Sequence, residues 1–161
     1  SACDLEGIDD KPMPATLWRP GRRVGFDVRI CPVHRKASDG PKHTRGKEVD
    51  VFLSRCREVG PEVRVAREDV YRAWLAERLR EGGAALLDAR MLQFRRTKLL
   101  RRTQNGMDRE AKLVERPDAF LRGTLRIEDP ASFAGLLARG IGRHRAFGFG
   151  MLLLRAPGTP C

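Results

Sequence analysis

From Arg23 to Ile30 the chain alternates apolar and polar side chains without a break. Val24, Phe26, Val28 and Ile30 point one way, and Arg23, Gly25, Asp27 and Arg29 point the other. That is the period of a half-buried strand. Pro32 closes it, because proline has no N–H to give to a sheet ladder. The same alternation returns at Leu121, Gly123, Leu125 and Ile127, with Arg122, Thr124 and Arg126 on the polar side.

Helical spacing fills the intervals. Tyr71, Trp74, Leu75 and Leu79 form one apolar stripe, Glu68 and Asp69 suit the positive end of a helix, and Gly82-Gly83 stops it. Asp129-Pro130 is a capping carboxylate followed by proline at the first helical position. Phe133, Leu136 and Leu137 give that helix its buried side, and Gly140 is placed for its C-terminal turn. Asp88 to Thr103 opens as a strand with Leu92 and Phe94 on one face, then turns basic. Gln104-Asn105-Gly106 is turn chemistry, and the stretch through Pro117 reads as a loop or excursion. Ala146 to Leu154, dense in Phe and Leu, reads as a fully buried strand. The order strand, helix, strand, strand, helix, strand predicts an α+β, ferredoxin-like (βαββαβ) fold. In it a four-stranded antiparallel sheet carries two helices on one face. That fold hosts both enzymes and binding modules, so it decides no function.

Charge narrows the partners. The 161 residues carry 32 Lys and Arg against 21 Asp and Glu, a net charge of +11. Residues 19–47 hold nine basic and two acidic side chains, and residues 90–126 hold eleven and four. Two concentrated segments favour a polyanion surface over charge spread for solubility. The basic-Gly-aromatic signature of RNA recognition on an open sheet is missing, so base stacking on the sheet is not the expected mode. The longest uninterrupted apolar run, Met151 to Leu154, is far too short to span a bilayer, so no membrane partner is expected. Four scattered cysteines (Cys3, Cys31, Cys56, Cys161) give no disulfide framework and point to a reducing cytoplasm. Cys31 and His34 have ligand-like spacing but no second pair, so neither a metal nor another cofactor is expected. The absence of an initiator Met suggests a piece of a longer protein or a processed chain.

The sharpest local feature is Gly140-Ile141-Gly142-Arg143-His144-Arg145-Ala146-Phe147-Gly148-Phe149-Gly150. A dinucleotide fingerprint would need glycine at 145 and a strand before the loop, and a P-loop would need Gly-Lys-Ser/Thr. Two readings stand side by side. Close glycines let backbone N–H groups approach a phosphate while Arg143 and Arg145 supply charge, or the glycines only permit a tight helix-to-strand turn.

A helix ending in Gly-Ile-Gly, followed by a base, an aromatic-Gly-x-Gly and a last apolar strand, resembles the repeat-associated CRISPR proteins. More narrowly the chain resembles the CasE type of CRISPR RNA-processing endoribonuclease. Val24 to Val33, Trp74-Leu75-Ala76-Glu77-Arg78-Leu79 with Gly83-Ala84, and Leu121-Arg122-Gly123-Thr124-Leu125 leading to Asp129-Pro130 are similar to that family's segments. The likeness runs over about residues 17–157. It implies tandem ferredoxin-like domains. Residues 1–20 would be a linker or remnant of a first domain, and residues 21–157 the second, with a basic insertion at 35–66. It implies metal-independent cutting of a CRISPR repeat stem-loop by a histidine of the first domain. That histidine has no counterpart at His34, His43 or His144, so this chain alone is expected to be inactive. It also implies that the enzyme stays with its product among the other subunits of the Cascade complex. The candidate RNA contacts are Arg95, Arg96, Lys98, Arg101 and Arg102, of which alternation puts only some on one face. Gly140, Gly142, Arg143, Arg145, Gly148 and Gly150 join them in the loop, with His144 as a further phosphate contact. Two rival readings are a non-catalytic RNA-coating subunit of a CRISPR effector complex and an unrelated basic ferredoxin-like RNA-binding domain.

Overall fold

The strand alternation is realised in β1 (Arg23–Ile30). After it come β2 (Val33–Arg35), β3 (Glu48–Asp50), α1 (Val51–Val59), α2 (Arg67–Glu81), β4 (Ala84–Asn105), β5 (Asp108–Ile127), α3 (Pro130–Arg139) and β6 (Leu152–Arg155). The computed structural model describes residues 15–40, 44–105 and 108–157, leaving aside the side chains of residues 101–110. Most of the segment 1–20, together with Cys3, His43, Gly106 and Cys161, therefore lies outside the described residues. One sheet runs in the order β4-β5-β1-β6, every neighbour antiparallel, and β2 and β3 form a separate two-stranded ladder. With the first strand in the centre beside the last, this is the ferredoxin-like order.

Register brings the apolar sides of β1 and β5 together. Val24 faces Leu125, Phe26 faces Gly123 and Val28 faces Leu121. Phe26, Leu121, Leu125 and Ile127 are buried completely, against Tyr71, Leu75 and Leu79 of α2 and Phe133 of α3. Each such side chain contributes about 1.5–3 kcal/mol by leaving water. Both helices start and stop where the residues dictate. Glu68 and Asp69 lie in the first turn of α2, and Asp129 accepts a hydrogen bond from the Ala131 N–H at 3.2 Å.

Three expectations need correction, and one element is added: among the described residues the stretch 35–66 holds a further helix, α1. Asp50 caps α1 by accepting from the Phe52 N–H at 2.9 Å. It is itself held by the Tyr71 hydroxyl at 3.0 Å and by Arg67 at 2.8 Å. Gln104, Asn105 and residues 108–117 are no excursion, since they pair with one another or with the rest of β4 as the outer parts of β4 and β5. β1 ends opposite Ala119, so from Arg95 and Asp118 outward the pair is a two-stranded ribbon. Near its base the ribbon covers one face, where Leu99 packs with Cys31, Val33 and Phe149, while Leu100 and Leu113 are exposed, so its apolar residues keep no longer period. Leu92 does not share a face with Phe94, because the register slips between Met91 and Gln93 and Leu92 is exposed. Finally, the last strand begins only at Leu152. Gly148 and Gly150 adopt positive φ, which breaks the extended backbone, and Leu153 faces solvent on an edge strand.

Candidate nucleic-acid interface

The glycine loop is closed at its base by the backbone. Gly140 N–H ends α3 on the Leu136 carbonyl at 2.8 Å, Ile141 N–H reaches the Gly150 carbonyl at 2.8 Å, and Gly150 N–H reaches the Arg29 carbonyl at 2.7 Å. Phe147 and Gly148 N–H donate back to His144 and Arg145. Five loop amides are thus spent inside the chain. The glycines shape the loop, and its outward chemistry falls to side chains. Gly142 packs against the Trp74 indole, and a Cβ on Gly150 would collide with the Ile141 carbonyl. The tight turn thus accounts for Gly140, Gly148 and Gly150, and the phosphate reading rests on Arg143 and Arg145.

Of the loop arginines, Arg143 joins arginines of the sheet on a buried carboxylate. Glu48, at the start of β3, accepts from Arg143 Nε at 2.7 Å and Arg116 Nε at 3.0 Å, and lies 2.8 Å from His144 Nε2. Arg35 Nε stands 3.9 Å away. His144 takes a left-handed backbone (φ 61°) to make this contact, the one non-glycine among the described residues with positive φ. Burial pushes the Glu48 carboxyl up, but hydrogen bonds from Arg143 and His144 outweigh it and hold the group at about 2. Asp118 is built alike. Arg29 grips both its oxygens at 2.8 Å through Nε and Nη2, Arg95 Nε donates at 2.7 Å and Thr97 Oγ1 at 2.6 Å. Here too burial opposes, and the hydrogen bonds from Arg29, Thr97 and Arg95 keep the carboxyl well below the usual range. A third carboxylate, Asp27, accepts from Arg122 at 2.7 Å with Arg155 at 3.4 Å. Seven guanidiniums therefore surround three carboxylates, leaving an ordered excess of positive charge.

The ribbon arginines divide by face. Arg95 shares the side of Thr97 and Asp118, while Arg96 pairs with Glu115 at 3.2 Å on the other, where Lys98 also stands opposite Glu115 and is exposed. Arg101 and Arg102 belong to β4, and their side chains lie outside the described residues. Arg145 is exposed, with its Nη1 donating to the carbonyl of Arg139 at the end of α3. His34 lies 3.2 Å from Ser54 Oγ. Cys31 packs with Val33, Leu99 and Phe149, and burial raises its thiol to about 12. Among the described residues no group of three or more His, Cys, Asp or Glu is arranged to hold a metal ion. Sequence reasoning missed Glu48, Asp118 and Arg116. Only the polar side of β1, with Asp27 and Arg29, gave a signal.

A ferredoxin-like sheet with a glycine loop before its last strand and a clustered arginine surface defines the class of this α+β protein. The family described as CRISPR associated protein matches residues 2–156, and the chain belongs to it. The CRISPR-associated endoribonuclease Cse3 of Thermus thermophilus is 29% identical over 147 residues, 88% of this chain and 59% of that protein. A structure of CRISPR endoribonuclease Cse3 bound to 19 nt RNA superposes with a TM-score of 0.64 at 29% identity, covering 90% of this chain and 61% of that one. A chain of a CRISPR RNA-guided surveillance complex shares the fold, with a TM-score of 0.58 at 18% identity over 91% of this chain and 63% of its own. The chain thus spans about three-fifths of the length of these relatives.

Proposed function

We propose that this chain is the RNA-binding part of an endoribonuclease that processes CRISPR repeat transcripts. It grips the stem-loop by its phosphates, and the whole protein cuts at the base of the stem without metal and stays with its product in the Cascade complex, in the cytoplasm. The observation that carries the reading is the excess of guanidiniums fixed around Glu48, Asp118 and Asp27. A relative of 29% identity supports it, having been solved bound to RNA. A-form stems offer side chains phosphates and shape rather than readable base edges in their deep groove, and ordered arginines suit that target. Among the described residues no helix is long and apolar enough to cross a membrane.

The test is the salt dependence of binding to a labelled RNA stem-loop. If roughly six phosphates are neutralised, the log–log slope lies near −4 to −5. A slope shallower than about −2 means that these arginines do not grip the backbone.

A further inference from the structure

The two most buried carboxylates of the surface share one construction. Glu48 (3% exposed) and Asp118 (4%) each neutralise a recessed arginine through two nitrogens: Arg116 by Nε and Nη2, and Arg29 by the same pair. Each then takes a second, outer arginine by Nε alone, Arg143 (42% exposed) at 2.7 Å and Arg95 (56%) at 2.7 Å. A guanidinium held only at Nε keeps the four donors of its two Nη groups, the pair that binds a phosphate with two parallel hydrogen bonds. The outer arginines come from the glycine loop and from the base of the ribbon. An arginine alone on a surface loses rotamer freedom when it binds, whereas one already held loses less.

We propose that Glu48 and Asp118 are positioning residues that preset Arg143 and Arg95 as a pair of phosphate clamps, so that two negative charges strengthen binding to an RNA backbone. This rests on the RNA-binding reading above, and it reverses the sign that charge alone predicts. Removing an anion from a protein of net charge +11 should tighten a polyanion. Under the proposal it weakens it.

The experiment measures the affinity of the full chain for a labelled RNA stem-loop at fixed salt, for wild type, Glu48→Gln, Asp118→Asn, Arg143→Ala, Arg143→Lys, Arg95→Ala and the Glu48→Gln/Arg143→Ala and Arg143→Ala/Arg95→Ala double variants. Glu48→Gln and Arg143→Ala should each weaken binding on the order of tenfold, and the double variant should lose little more than either. Arg143→Lys, which leaves the buried carboxylate in place and threatens the fold least, should fall nearly as far as Arg143→Ala although its charge is kept. Arg143→Lys binding as wild type, or Glu48→Gln binding more tightly while folded, overturns the positioning role and leaves the RNA-binding reading standing. Wild-type affinity in Arg143→Ala and Arg95→Ala together overturns the clamp assignment. A wild-type chain that fails to bind the stem-loop overturns both.

Discussion

Gly142 and the indole of Trp74 are packed so closely that a Cβ on the glycine would stand 2.8 Å from the ring, at a backbone φ of +73°. The first turn of the glycine loop is therefore seated on α2. Gly142→Ala must both strain the backbone and displace a core tryptophan, at a cost of about 2–4 kcal/mol. Gly148 has φ +79° but only Arg29 Nη1 at 3.6 Å in the way, so Gly148→Ala should cost about 1–2 kcal/mol. Urea unfolding of the two variants checks the order, and equal losses would mean that Trp74 gives way freely.

Arg145 is bonded through one nitrogen to the end of α3, whereas Arg143 is fixed by Nε on a buried carboxylate. Arg145→Ala should lower stability by about 1 kcal/mol, the worth of a charged donor lost from a carbonyl. Its RNA affinity should fall far less than that of Arg143→Ala. Thermal melts alongside binding curves separate the two roles.

Acid should loosen the arginine surface in a defined window. Glu48 titrates at about 2 in the folded chain against an ordinary 4.5, and Asp118 and Asp27 are displaced in the same direction. A carboxyl with a depressed folded value contributes fully above its unfolded value and loses that contribution as pH falls through the folded one. Stability should therefore decline between about pH 4.5 and 2, with roughly 2–3 kcal/mol of the decline due to Glu48. Glu48→Gln should start lower and fall less steeply, as read by urea midpoints across that range.

Cleavage should require more than these residues. Abstracting a 2′-proton at neutral pH suits an available histidine. His144 is engaged by Glu48 and His34 lies against Ser54. The chain alone should bind a labelled repeat stem-loop and leave it uncut, and supplying the remaining part of the protein should restore cutting that survives EDTA. Specific cutting by the chain alone, lost in His144→Ala, would place catalysis in the glycine loop.

How far the fold could be read from sequence follows from which forces leave a local trace. The faces of β1 and α2 and the cap of α3 were legible, because burial imposes a period and Asp129-Pro130 is local chemistry. The ribbon beyond Arg95 was not, since only Leu99 of its leucines is buried while Leu100 and Leu113 face solvent, and so short a covered stretch leaves no alternation to read. Three consecutive leucines, Leu152 to Leu154, hid the alternation of an edge strand. Glu48 was invisible for a different reason. Its partners Arg143 and His144 lie 95 and 96 residues away, and no spacing rule spans that distance.

The sheet is joined across long stretches of chain: Asp27 pairs with Arg122 and with Leu153. During synthesis β1 emerges before either neighbour exists, with Val24, Phe26, Val28 and Ile30 already committed to a face that nothing yet covers. Loop closure over such separations is slow relative to local helix formation, so α2 can coil while its sheet is still unmade. The nascent chain therefore carries a bare apolar strand while residues 31–151 are being made, and its yield in a cell depends on how well that strand is shielded until β6 arrives.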